Sequence, residues 1–305
     1  MQAICIYDLR SDKMFKKLSL FLAITAMVIT LSACENKTDN KDSFGKLKVV
    51  VSFNAMSEFA KAVGKDKVKV EIMIPQGTEP HDFEPKARDM ESLGKAQIFI
   101  YNGFGMEAWI DKTLEVVGNK KLISVDASKG ATPITKTEND PHLWLSLKGA
   151  ESQSKNIKDA LVKVDPTNKD YYEKNYLDFY NKLEEVFKDY NTKFSSVPNK
   201  TFVTGHAAFA YLAKDFGIKQ KSVEDVFAEG DPSAKKLKEL TDYCKDNKIK
   251  TIFVENMVSP KVSETLAKEV GAKVEKIYTI ESKEDNKDYL QSMRDNLEKI
   301  YISLK

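Results

Sequence analysis

Three residue classes are scarce in this 305-residue chain, and each scarcity excludes something. Three cysteines cannot build a disulfide framework. A surplus of only two positive charges, from 48 Lys plus Arg against 46 Asp plus Glu, gives no basic excess. A dedicated nucleic-acid binder shows such an excess or a basic stripe, so no nucleic-acid partner is expected. Only one long apolar run occurs, which excludes a polytopic membrane protein. What the chain does have is a 42% hydrophobic and 10% aromatic content, ample for one or two packed domains and incompatible with disorder. Histidine is rarest in functional terms. There are three, so the place of each one matters.

The apolar run lies near the start, in MFKKLSLFLAITAMVITLSAC, residues 14–34. Lys16 and Lys17 form a charged leader, and Leu18 to Leu31 is too short to span a bilayer comfortably. Residues 1–33 therefore read as a signal peptide, with 1–13 an over-extended start ahead of Met14. Leu31-Ser32-Ala33-Cys34 resembles a bacterial lipobox, which implies cleavage before Cys34 and lipidation of its thiol. Residues 34–46 are polar and lack periodicity, as a solvated tether would. Without residues 1–33 the two charge signs balance, so the lipid has to supply the membrane attachment. The expected place is the outer face of the bacterial cytoplasmic membrane.

From Leu47 onward, short apolar or alternating runs alternate with helical patterns. LKVVVS at 47–52, KVKVEIMIP at 67–75, QIFIY at 97–101 and 122–125 read as strands, with helices at 53–63, 88–95 and 106–117 between them. The middle is different. Residues 149–164 and 166–194 carry helical periodicity alone, and Tyr172, Tyr176, Phe179, Leu183, Val186, Tyr190 and Phe194 form one stripe. Twenty-nine helical residues would span about 43 Å. After Pro198 the alternation resumes, with strands at 200–204, 249–254 and 274–280 and helices at 207–216, 233–247, 259–270 and 289–304. The fold class is therefore α/β: two lobes, each a mostly parallel sheet covered by helices, joined by one long rigid helix. The expected divisions are a first lobe at 47–164, the connecting helix at 165–197 and a second lobe at 198–305.

His81 lies in QGTEPHDFEP, just past a strand; His206 follows the strand TFVT through Gly205, at the start of a helix. Open α/β sheets bind ligands at the carboxyl ends of their strands. His142, in DPHLW, lies on the crossover before the helical middle and is able to close on the same cleft. Spacings of 61 and 64 residues exclude a zinc finger or an HExxH helix, so a metal site would form only in the folded chain. Three imidazoles suit a borderline cation such as Zn2+. A helix N-terminus at His206 would help keep its ring neutral. A fourth donor is needed, and Glu281 and Glu255 both follow strands of the second lobe.

The stretches GTEPHDFEP, DPHLWLSL, DPTNKDYYEKN, VTGHAAFAYLAKDFG and VENMVSPKVSETLAKEVG resemble the zinc/manganese substrate-binding lipoproteins of bacterial ABC importers, the cluster A-I metal-binding family. The resemblance runs from about Leu47 to Lys305. It implies two α/β lobes on a long helix, ligands at His81, His142, His206 and Glu281, and a permease with its ATPase subunit as partners. His206 stands where the zinc branch has His and the manganese branch typically has Glu. Many zinc members carry a His-rich loop between the first two ligands, whereas residues 128–139 here contain no histidine.

The expectation is thus a tethered monomeric receptor that binds Zn2+, with Mn2+ as the alternative cargo, and is not an enzyme. Four protein donors leave no open position for a hydrolytic water. Trp144 and Phe83 are candidate cleft walls, and Glu79 and Asp82 candidate supports for the imidazoles. Binding is expected to weaken below about pH 6, because a protonated imidazole cannot coordinate. Two rivals of other classes are a secreted zinc hydrolase, for which Glu79 and Glu84 flank His81, and a surface adhesin.

Overall fold

The computed structural model describes residues 45–134, 140–227, 232–256 and 259–305. The signal peptide, Cys34 and most of the tether lie outside the described residues, as does part of the 128–139 loop.

The first sheet contains β1 (Leu47–Val51), β2 (Val68–Ile72), β3 (Ile98–Tyr101) and β4 (Ile123–Asp126), all parallel, in the order β2-β1-β3-β4. The central strands LKVVV and IFIY are nearly continuous apolar runs because helices cover both faces. The covering helices include α1 (Asn54–Gly64), α2 (Ala87–Gly94) and α3 (Ile110–Val117). Two more helices follow: α4 (Leu147–Val164), then α5 (Lys169–Ser195) after a tight turn at Pro166–Asn168.

Helix α5 spans 27 residues, about 40 Å at 1.5 Å per residue. Its buried side is Tyr172, Asn175, Phe179, Leu183, Val186, Tyr190 and Phe194, the expected stripe with Asn175 in place of Tyr176. Asn175 earns burial through its amide, which donates to the Val63 carbonyl at 3.0 Å.

The second sheet repeats the plan. β5 (Thr201–Thr204), β6 (Lys219–Ser222), β7 (Thr251–Val254) and β8 (Lys273–Lys276) are parallel in the order β6-β5-β7-β8. Its helices are α6 (Ala210–Asp215), α7 (Ala234–Asp246), α8 (Lys261–Val270) and α9 (Tyr289–Ser303). Two expectations need correction here. β6, with the sequence KQKS, was not anticipated as a strand. The helix expected at 207–216 begins only at Ala210, so His206 precedes it on a bend.

A single apolar core runs through both lobes. It includes Val49, Phe59 and Phe99 from the first, Phe179 and Phe194 from α5, and Phe209, Phe253, Tyr289 and Leu297 from the second. Helix α9 returns across the molecule: the Tyr289 ring lies edge-on to Phe59 at 4.8 Å, and its hydroxyl donates to the Trp144 carbonyl at 2.7 Å. A satellite cluster of Val203, Val223, Leu240, Cys244, Ile252, Leu266 and Ala267 fills the outer side of the second sheet.

Candidate metal centre

In both sheets the strand order reverses at the centre, between β1 and β3 and between β5 and β7, which opens a crevice at the carboxyl ends of those strands. His206 leaves β5 and Glu255 leaves β7, so both stand at the second crevice. Asn54 and Asn102 occupy the equivalent places in the first.

His142 is fully buried. Pro141 ahead of it fixes the approach, and Asp140 Oδ1 takes both the His142 backbone N–H and the ring Nδ1, each at 2.9 Å. That pair orients the ring and leaves Nε2 as the free lone pair, the arrangement that raises the donor strength of a ligating imidazole. Asn102 holds the loop by donating to the Pro141 carbonyl at 2.8 Å, and Gln153 holds Asn102 at 2.8 Å. Tyr211, from the second lobe, donates to the Asp140 carbonyl at 3.0 Å.

His206 sits on a bend whose shape is set by Gln220 of the unforeseen strand β6. Gln220 Nε2 donates to the His206 carbonyl at 2.9 Å, and its Oε1 takes the Phe209 N–H at 2.9 Å. Behind the ring lies Glu255, 3.7 Å from Nδ1. A Cβ at the preceding Gly205 would meet Glu255 Oε2, so a larger residue there would displace that carboxylate.

Glu281 is reached by an extended run past β8. Its Oε2 accepts from the Thr279 hydroxyl at 2.8 Å, and its Oε1 is buried with no hydrogen-bond partner among the described residues. The residue before it, Ile280, has φ +61°, a left-handed conformation that costs a β-branched residue about 1–3 kcal/mol and is maintained only where surrounding contacts enforce it.

These elements bring His142, His206 and Glu281 together, each buried, with one donor atom apiece all within 4.8 Å. The two Nε2 atoms are 3.4 Å apart. Two Zn–N bonds of about 2.0–2.1 Å at a tetrahedral angle would set them about 3.3–3.4 Å apart. His81, in the turn Pro80–Asp82, stands alongside: its ring centroid is 5.5 Å from that of His142, and its buried Nε2 has no hydrogen-bond partner among the described residues. Of the two fourth-donor candidates, Glu281 enters the group and Glu255 stays behind His206.

The other expected residues fall in different surroundings. Trp144, fully buried, packs on His142 and Phe53 and donates through Nε1 to the Thr279 carbonyl at 2.7 Å, so it both walls the cleft and ties the lobes. Phe83 is buried against Trp109, in the core of the first lobe. Glu79 caps the turn by accepting the His81 N–H at 3.5 Å, and its Oε1 lies 3.9 Å from His81 Nε2. Asp82 is exposed. Phe227, from the second lobe, closes edge-on over the His81 ring at 5.1 Å. Asp140, Asn54, Asn102 and Gln220 were missed. Only Asp140 had a local signal, a carboxylate two residues before a histidine in Asp-Pro-His.

Burial dominates the electrostatics. It pushes the His81 imidazole down to about 3, with His142 contributing, and holds His206 well below its ordinary value. The His81 and His206 rings are therefore held toward the neutral, lone-pair-donating form. At these two rings burial acts against the expected weakening below about pH 6. It also replaces the helix terminus as the reason His206 stays neutral. Carboxyls move the other way: burial and then Glu79 raise Glu281 well above the ordinary value, and burial lifts Glu255 to about 8. A buried group of donors whose Glu281 Oε1 and His81 Nε2 have no hydrogen-bond partner among the described residues fits a divalent cation, which would restore charge that burial removes.

The family model for zinc-uptake complex component A, periplasmic (ZnuA), matches residues 49–302. The chain belongs to the ZnuA family. The high-affinity zinc uptake system protein ZnuA of Bacillus subtilis (strain 168) is 38% identical over 315 residues, covering 95% of this chain and 99% of that protein. Among solved structures, the laminin-binding protein Lmb of Streptococcus agalactiae, described as bifunctional with adhesin and metal transporting activity, superposes with a TM-score of 0.81. It is 36% identical and covers 85% of this chain and 100% of its own. The Zn(II)-bound ZnuA-like domain of Streptococcus pneumoniae AdcA gives a TM-score of 0.75 at 36% identity, over 85% of this chain and 99% of that one. Two parallel-sheet lobes on a long helix are thus the ZnuA architecture in this chain as well. Among the described residues, no helix is long and apolar enough to cross a membrane.

Proposed function

We propose that this ZnuA-family chain is an extracytoplasmic receptor that binds one Zn2+ through His81, His142, His206 and Glu281 and delivers it to an ABC permease driven by a separate ATPase subunit. The observation that carries the reading is the meeting of His142, His206 and Glu281 within 4.8 Å, from two lobes, with Glu281 Oε1 left unsatisfied. His81, whose ring centroid lies 5.5 Å from that of His142, would turn its Nε2 in as the fourth donor. Three nitrogens and one carboxylate favour Zn2+ over Mn2+, which prefers harder oxygen sets. Lipidation of Cys34 would keep the receptor at the outer face of the membrane, and the receptor acts as a monomer. The ZnuA family is one of uptake components, which leaves the hydrolase reading without support. Adhesion is described for Lmb, and no contact surface described here extends it to this chain.

Competition titration against a chromophoric chelator tests the site. The chain should take up one Zn2+ per molecule, with Mn2+ bound at least 100-fold more weakly. His142→Ala or His206→Ala should each lower zinc affinity by at least about 100-fold, or about 2.7 kcal/mol. Unaltered affinity in either variant would remove the reading. Delivery is tested by growth in chelated medium of a deletion strain carrying either the native gene or the His142→Ala gene. Only the native gene should restore it.

A further inference from the structure

We infer that Asn54 is the positioning residue for Glu281: the first lobe, through this one side chain and its backbone N–H, aims the acidic donor of the second. The inference rests on the proposal that Glu281 is a zinc ligand.

Own-lobe bonds hold the segment after β8 on either side of Glu281: beyond it, Asn256 and Lys276 reach Glu284, and Lys276 and Tyr278 reach Asp285. Before it, Ile277 N–H reaches the Val254 carbonyl at 2.9 Å, and Tyr278 is bracketed by Asn296, whose Oδ1 takes its N–H and whose amide donates to its carbonyl. From Thr279 the carbonyls turn to the first lobe. Trp144 Nε1 takes the Thr279 carbonyl at 2.7 Å, Asn54 Nδ2 takes that of Ile280 at 3.3 Å, and Asn54 N–H takes that of Glu281 at 3.2 Å. Further on, Gly77 N–H donates to the Ser282 hydroxyl at 3.0 Å, and Lys283 N–H donates to Gln76 Oε1 at 2.6 Å.

Asn54 is the centre of this set because it holds the two peptides flanking the Glu281 Cα. It is the first residue of α1, where a backbone N–H has no partner within the helix and is free for another chain segment. Its side chain is buried, so its amide N–H would cost free energy if left unmatched. An amide is the chemically suitable group there: Asp would face a carbonyl with a carboxylate, and Ala would leave the Ile280 carbonyl empty. One of the held peptides, Ile280–Glu281, also adjoins the left-handed Ile280, whose other peptide is held by Trp144. With these bonds in place, only the side-chain torsions of Glu281 remain, and Thr279 restrains those through Oε2.

A mutant cycle on the full chain separates aiming from general stabilisation. Zn2+ affinity is measured for Asn54→Ala, Glu281→Gln and the double variant, together with the visible absorption of each Co2+ form and the thermal stability of the metal-free proteins. Asn54→Ala should weaken Zn2+ about tenfold, in the range seen when an outer hydrogen-bond partner of a ligand is removed. Its Co2+ band should move to that of Glu281→Gln. In the Glu281→Gln background the same change should alter affinity by less than twofold. Multiplying losses, or a wild-type Co2+ band in Asn54→Ala, would overturn the inference. If Glu281→Gln itself bound Zn2+ like the native chain with an unchanged Co2+ band, the ligand assignment would fall first and the role of Asn54 with it. Should Asn54→Ala fail to fold, the near-isosteric Asn54→Asp runs through the same cycle. Its wild-type affinity would overturn the inference, and a tenfold loss confined to the Glu281 background would support it.

Discussion

The two lobes share a strand order but not a construction. In the first, β1 and β3 are almost wholly buried, and their side chains join α1, α4 and α5 in the main core. In the second, the central strands TFVT and TIFV are buried to a similar degree and the edge strands of both sheets are part-exposed, but α7 and α8 rest on a separate satellite cluster of seven residues. The same contrast reaches the metal centre. The His142 ring is held by Asp140 at 2.9 Å, whereas Glu255 takes the His206 backbone N–H at 3.4 Å and lies 3.7 Å from its ring Nδ1, beyond hydrogen-bond reach. One topology can therefore serve as a heavy, pre-set jaw and as a lighter one whose donors depend on neighbours for their aim.

The largest test of this contrast concerns stability. Phe59→Ala removes a ring packed on Phe179 and Tyr289 in the shared core and should cost about 3–5 kcal/mol in chemical denaturation, destabilising both lobes together. Leu240→Ala in the satellite should cost about 2 kcal/mol, because that thin layer can relax. Its amide exchange should quicken over 234–270 and leave β1 and β3 protected. Uniform quickening across both sheets would show that the satellite is no separate unit.

A smaller effect concerns the carboxylates behind the rings. Asp140→Asn should lower Zn2+ affinity by about 10-fold or more, because it weakens a bond that fixes the ring tautomer. Glu255→Gln, at the longer distance, should change it by less than threefold. Equal losses would mean that the 3.7 Å gap closes around the ion.

The smallest expected effect is on proton balance. Glu281 carries a raised pKa, so between its ordinary and its raised value the metal-free chain holds a proton there that a cation must expel. Affinity should rise with pH over that window, by up to tenfold per unit, as calorimetry in buffers of different ionisation enthalpy would show. Glu281→Gln should flatten the slope. The metal-free fold responds separately. Imidazoles held below their ordinary value favour the unfolded chain as it gains protons, so stability falls from about pH 6.5 toward the folded value of about 3 at His81. Glu255 works in the opposite sense: its contribution is present below about pH 4.5 and is lost as pH rises toward its folded value of about 8.

The parts legible in the sequence were those whose cause is local. LKVVV and IFIY announce buried parallel strands because covering helices demand apolar side chains on both faces. The α5 stripe is visible because every third or fourth residue of one helix meets the same core. The three histidines stood out by rarity and by their places after strands or in a linking loop. What stayed hidden depends on partners far away in the chain. KQKS is a strand only because β5 offers it a ladder at the sheet edge, so no pattern in those four residues reveals it. Asn54 and Ile280 meet across 226 residues, and a lone asparagine at a helix start ordinarily signals nothing more than a helix start. The late beginning of α6 was also invisible, since Gln220 and Thr204 determine the path of the bend through side chains on two different strands.

Gly205 and Glu255 illustrate how such distant coupling limits change. The end of the carboxylate fills the volume that a side chain at 205 would claim, so a change at 205 acts on 255. A lineage acquiring alanine at 205 has to swing or shorten residue 255, and in doing so disturbs the acid behind His206. In a saturation screen the two sites should behave as a single locus with very few permitted spellings.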